Sequence, residues 1–243
     1  MMDDGEIGQA LVMPGFGYDR SDGAAATRAQ NDGIAAYRDG LPGRFPIAAG
    51  VIEPLDLREA LHEVRRAREL GLVGITLHTE YQGVTLESPS VLRVLEAMQE
   101  EGLIPLLHAP DDSLSEKAWR LAKVARLFPD MTFLTLEPFF TMEGMQAHDL
   151  VADVAPNVLF DTASCYDVDW VVEFAQKWGA ERVLYGSHLY SIAHESGMNR
   201  AINRRNTFAR QCLLESALTQ KQKALVFGDN ARRLFGIGSG TSE

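Results

Sequence analysis

Cysteine is almost missing from this chain. Cys165 and Cys212 are the only two among 243 residues, too few for a disulfide scaffold or a zinc site built of cysteines. Long apolar runs are missing too. No stretch approaches the roughly 20 residues that span a bilayer. The opening Met1-Met2-Asp3-Asp4-Gly5-Glu6 is acidic and lacks the apolar core of a signal peptide. Positive charge is in deficit: 23 Lys and Arg against 34 Asp and Glu give a net charge of −11. A nucleic-acid binder needs the opposite, a basic footprint. No GxGxxG follows the first candidate strand and no Walker sequence occurs, so a nucleotide-binding open sheet has no local support. The expectation is a cytoplasmic protein whose partners are small molecules, with neither nucleic acid nor membrane involved.

What is present is an alternation. Hydrophobic residues make up 46% of the chain, a globular proportion. Ile104-Pro-Leu-Leu-His108 is an unbroken apolar run, as expected of a strand covered on both faces. Pro105 suits only the strand's start, where a missing ladder donor costs least. Six other stretches share the plan: 7–13, 45–52, 73–78, 131–136, 158–161 and 182–185. Helical patterns separate them. The clearest has Leu57, Ala60, Leu61, Val64, Ala67 and Leu70 at helical spacing, with Asp56 to cap it and Gly71 to end it. Other helices are expected over 22–39, from a Ser88 cap to Gly102, from a Ser113 or Ser115 cap to Phe128, over 142–154, from an Asp167 cap to Trp178, and over 202–217, with short turns opened by Thr219 and Asp229. Strand and helix recur at roughly 25–30 residues, which predicts a parallel sheet with helices outside it. The fold class is therefore α/β, a (β/α) TIM-like barrel. A closed barrel has eight strands and only seven are found. Residues 1–237 are expected to form one domain and 238–243 a flexible tail.

In such barrels the site is built where strands end and the following loops begin. At those positions stand Glu53, His78 with Glu80, His108 with Asp111, Glu137, Asp161 and His188. Converging imidazoles and carboxylates suit a borderline divalent metal. Each is also open to a plainer reading, since a lone strand-end histidine is commonly just hydrogen-bonded, Asp161 can hold loop amides, and Glu53 can cap a turn. His62 and His148 read as surface residues of helices, and His194 has no assigned role. Arg200, Arg204, Arg205 and Arg210 could meet an anionic substrate, but a solvated helix face is the commoner use of such a run.

Several segments resemble the amidohydrolase-related family of metal-dependent TIM-barrel enzymes, the branch that includes aminocarboxymuconate-semialdehyde decarboxylase. They are Gly50-Val-Ile-Glu-Pro-Leu-Asp56, Gly71-Leu-Val-Gly-Ile-Thr-Leu-His78, Leu106-Leu-His-Ala109, Asn157-Val-Leu-Phe-Asp-Thr-Ala-Ser164, Arg182-Val-Leu-Tyr-Gly-Ser187 and Gly228-Asp-Asn-Ala-Arg-Arg-Leu-Phe-Gly236. They run in order over nearly the whole chain. The resemblance implies hydrolase or decarboxylase chemistry on a small carboxylate or lactone-like substrate, with a divalent ion, zinc foremost and iron or manganese as alternatives. It also exposes departures. Members open on a strand carrying His-x-His, and no His-x-His occurs here. A histidine of the family is replaced by Glu137, and its last-strand aspartate by His188. His108 alone matches the ligand set outright.

Two readings follow from the resemblance. In the first, acid and histidine have exchanged places. His108, Glu137 and His188 then hold the metal, and His78, Glu80 and Asp161 serve catalysis. Pro138, directly after Glu137, is expected to keep that residue extended. In the second, the site has decayed and the barrel is a ligand-binding or assembly subunit. Either way, an absent first strand leaves two unpaired sheet edges, which predicts a homo-oligomer or a covering segment.

Overall fold

The structure is a computed structural model, and it describes residues 2–3, 6–15, 22–188 and 208–238. Seven parallel strands run in sequence order, β1 to β7, each bonded to the next. They are β1 (Leu11–Val12), β2 (Ile47–Val51), β3 (Gly74–Leu77), β4 (Ile104–His108), β5 (Phe133–Leu136), β6 (Val158–Asp161) and β7 (Val183–Leu184). The helices between them are α1 (Ala24–Gly40), α2 (Leu57–Glu69), α3 (Pro89–Glu101), α4 (Ala118–Leu127), α5 (Met142–Val154) and α6 (Val168–Trp178). The incomplete TIM-like barrel expected from the alternation is what forms. β1 is much shorter than the expected 7–13, with only Leu11↔Ile47 and Val12↔Ala48 in register.

Both faces of the sheet are dry, because helices cover one and the barrel's own interior fills the other. Ile75, Leu77, Leu107, Phe133, Phe160 and Val183 pack under the helices with residues such as Val64, Val91, Leu95 and Leu121. Ala49, Leu106, Leu134, Leu136 and Leu184 form a second, interior cluster. Side chains alternate along a strand, so His78 and His108 continue the interior rows of Thr76 and Leu106 to the strand ends.

The place between β7 and β1 is bridged by the C-terminal segment. Ala231, Leu234 and Phe235 join the interior cluster beside Leu11 and Met13. Tyr185 N–H donates to the Val226 carbonyl at 2.8 Å. Buried Asn230 gives both amide protons to the carbonyls of Ala180 (2.7 Å) and Val183 (2.8 Å). Arg210 pairs with Glu6 at 2.7 Å, so this arginine serves a structural contact between the two ends of the chain. Residues 208–215 are helical. His194, Arg200, Arg204, Arg205, the start of the expected 202–217 helix and the end of the tail lie outside the described residues. No helix among the described residues is long and apolar enough to cross a membrane.

Two local expectations fail. His148 is fully buried, where a surface position was expected. The buried stripe of α5 is Gly144, Met145, His148, Val151 and Ala152, an i, i+4, i+7 pattern that carries the histidine inward. Its Nδ1–H donates to the Gly144 carbonyl at 2.8 Å, and its ring stands edge-on to Phe160. The cap of α4 is also not a serine. Asp111 reaches across the loop, and its Oδ1 accepts the Ala118 N–H at 2.8 Å. By contrast, the Asp167 cap of α6 and the Thr219 capping box form as expected.

Candidate metal and proton-transfer site

Four successive strand ends carry a non-glycine residue in the left-handed region: Asp111 (φ 66), Glu137 (φ 56), Ser164 (φ 52) and His188 (φ 50). That conformation costs about 1–3 kcal/mol per residue and concentrates where function over-determines the backbone. Glu137 overturns the expectation of an extended residue before Pro138. Its N–H is taken by Asp161 Oδ1 at 2.9 Å, and its carbonyl accepts from Phe140 N–H at 3.2 Å. These two bonds fold the chain back over the rim and aim the carboxylate inward.

Five ionisable side chains then form a continuous chain of contacts across the mouth. Glu116 Oε1 meets His78 Nδ1 at 2.8 Å, and its Oε2 meets His108 Nδ1 at 2.8 Å. His108 Nε2 lies 3.3 Å from Glu137 Oε2, and Glu137 Oε1 pairs with His188 Nε2. The rings of His78 and His108 stack with centroids 3.6 Å apart and planes 25° from parallel. Tyr81 lies against the outer side of His78, its centroid 4.2 Å away. Solvent reaches every member but Glu116, most at the His188 end, and the His78 side chain at the other end is 11% exposed. Glu116 is completely buried, while side-chain exposure is 12% at His108, 14% at Glu137 and 22% at His188.

The electrostatics follow from these contacts. Burial favours a neutral His108, but the hydrogen bonds and charges of Glu116 and Glu137 outweigh it and push the imidazole up to about 10. Burial opposes ionisation of Glu116, yet the two imidazoles hold it down at about 2. Glu137 is held well below the usual carboxylate range by His108 and His188 in the same way. Asp161 goes the other way. Burial, with the Glu137 charge nearby, raises it to about 7 despite backbone N–H donors from Glu137 and Ala163.

The structure thus brings together His78, His108, Glu137, Asp161 and His188 from the sequence expectation. Glu80 is different: its side chain is exposed, and what it gives the network is a backbone N–H to Glu116 Oε1 at 3.2 Å. One carboxylate oxygen from each of Glu80, Asp112 and Glu116 falls within 4.8 Å of the others, at the outer edge of the centre. Glu53 lines a crevice between α1 and α2 with Arg28, Asp56 and Glu59 instead. Asp111 is a cap and a lysine partner, with Lys117 Nζ donating to its backbone carbonyl and its carboxylate. Glu116 is the member that sequence reasoning missed. It sits in a loop, after no strand, and nothing in Ser115-Glu116-Lys117 marks it out. Together His78, His108 and Glu116 bring donor atoms within 4.8 Å of one another, a grouping able to hold a metal ion.

A family model described as amidohydrolase matches residues 6–237. The chain belongs to the amidohydrolase family. Solved structures agree on the fold. The 5-carboxyvanillate decarboxylase of Sphingomonas paucimobilis is 19% identical with a TM-score of 0.69, over 98% of this chain and 81% of that one. The same-named enzyme of Novosphingobium aromaticivorans, complexed with manganese and 4-hydroxy-3-methoxy-5-nitrobenzoic acid, is 19% identical with a TM-score of 0.71, over 97% and 78%. A 4-oxalomesaconate hydratase of Rhodopseudomonas palustris is 15% identical with a TM-score of 0.68, over 97% and 78%. No curated protein matches the chain. The same fold thus carries decarboxylation in two of these solved structures and hydration in another, so the chemistry of this chain has to be argued from its own residues.

Proposed function

We propose that this amidohydrolase-family barrel is a metal-dependent decarboxylase or hydrolase of a small carboxylate or lactone-like substrate, its divalent ion held by His108, Glu137 and His188. The observation that carries the proposal is Glu137, which meets His108 Nε2 with one oxygen and His188 Nε2 with the other. The 3.3 Å between Glu137 Oε2 and His108 Nε2 is compatible with two donors on one ion, and His188 Nε2, which touches the other carboxylate oxygen, would draw back to admit the ion. Two imidazoles and one carboxylate suit zinc, iron or manganese. His188 is the most exposed member of the network, so a substrate can approach this end. When bound, the ion would polarise a substrate oxygen or lower the pKa of a water.

The chain's own residues supply the proton chemistry. Asp161, raised to about 7, is a carboxyl poised between its two states near neutral pH, as general acid–base work requires. Gly186 makes room for it, since a Cβ there would stand 2.8 Å from Asp161 Oδ2. His78 brings a second imidazole to the same mouth, and Glu80 adds negative charge at the rim.

A second reading has its own support. His108 already has a carboxylate on each ring nitrogen, a network that satisfies itself with a proton alone. A barrel so arranged would serve as a ligand-binding or assembly subunit. The decisive measurement is elemental analysis of protein purified without added metal or a histidine tag. Near-stoichiometric metal in the parent, lost in His108→Ala and His188→Ala, is the expected result. A metal-free parent that gains no thermal stability from zinc, manganese or iron moves the conclusion to the second reading.

A further inference from the structure

We infer that Glu116 is the positioning residue of this centre: it clamps His78 and His108 as a stacked pair, both protonated on Nδ1, so that each ring presents Nε2 for chemistry. An ionised carboxylate only accepts hydrogen bonds. Both ring nitrogens that meet it, at 2.8 Å each, must therefore be the donors. The Glu80 N–H, at 3.2 Å from Oε1, is a third donor on the same group. None of the three can be satisfied by a residue that donates back.

The loop is built to deliver this carboxylate. Asp111 caps Ala118 and takes Lys117 on the other side. The Ser115 carbonyl accepts from Thr79 Oγ1 and from Leu86 N–H, both at 3.4 Å. Residues 115–118 are thereby pinned from the β3 loop as well as the β4 loop, and Glu116 has no exposure. Histidines that ligate metals characteristically give their other ring nitrogen to such an acceptor, which fixes tautomer and orientation. Here one acceptor fixes two rings at once.

The test uses Glu116→Gln, which keeps volume and reach but carries one acceptor and one donor group. The Glu80 N–H and His78 Nδ1–H keep the amide oxygen on their side. The amide NH2 then faces His108 Nδ1, which must give up its proton to accept. Nitrogen-15 spectra of the imidazoles, on metal-free protein, should show Nδ1 protonated on both rings in the parent and unprotonated on His108 in the variant. The metal-binding arm rests on the reading proposed above. There the dissociation constant should rise about 10–100-fold in Glu116→Gln, with partial recovery in Glu116→Asp. Nδ1 protonated on His108 in the glutamine variant, or unprotonated on either ring of the parent, overturns the inference. So does a parent that binds metal, but no more tightly than the variant. A parent that binds no metal at all removes the proposed function but leaves the clamp to be judged by the spectra. If the glutamine variant fails to fold, the parent's spectra alone decide.

Discussion

Acid should unfold this protein partly through one histidine far from any expectation of function. His148 is fully buried in α5, and burial lowers its pKa from 6.5 to about 4. The Gly144 carbonyl and the Asp111 charge favour the protonated ring but do not outweigh burial. The unfolded chain takes up a proton near pH 6.5 that the folded chain refuses until about pH 4. Between those values the unfolded state binds more protons, so stability falls as pH falls. At about 1.4 kcal/mol per pKa unit, the loss reaches about 3 kcal/mol below pH 4, or roughly 6–12 °C in melting temperature for a domain of this size. The assay is urea unfolding between pH 7 and pH 4 of the parent and of His148→Asn. Asparagine keeps a donor for the Gly144 carbonyl and cannot titrate. Its baseline will be lower because the shorter side chain leaves a void, but its pH slope should be flatter by about 3 kcal/mol across that interval. Equal slopes in the two proteins would refute the assignment of the loss to His148.

Asn230→Ala should cost about 2–3 kcal/mol, read by denaturant midpoint, because the carbonyls of Ala180 and of Val183 in β7 each lose a buried amide donor. A loss under about 0.5 kcal/mol would mean that the C-terminal segment is held by its apolar contacts alone. Light scattering at micromolar concentration should find a homo-oligomer, since β1 pairs only with β2 among the described residues and an open edge invites pairing. A monomer would mean that the C-terminal segment is cover enough.

The sequence by itself determined the architecture. Unbroken apolar runs ending at polar residues, alternating with helical stripes such as Leu57 to Leu70, leave few solutions besides a parallel sheet wrapped in helices, because each face must be buried. The same pattern placed His78, His108, Glu137, Asp161 and His188 at one mouth, since strand direction fixes which ends share a rim. The stripe that buries His148 was equally legible; the histidine's polarity obscured it. Tertiary structure alone decided three things. Glu116 joined the centre because a cap eight residues long in sequence, from Asp111 to Ala118, folds its loop over two strand ends, and no local pattern encodes that closure. Glu137 took a left-handed backbone because Asp161, from the next strand, accepts its N–H, against the preference set by Pro138. The place between β7 and β1 went to the C-terminal segment because Asn230, Ala231, Leu234 and Phe235 meet carbonyls and apolar side chains that only the curled sheet brings within reach. Periodicity reports which face of an element is dry. Which side chains meet across the mouth depends on contacts between residues distant in sequence, and those exist only once the chain has closed.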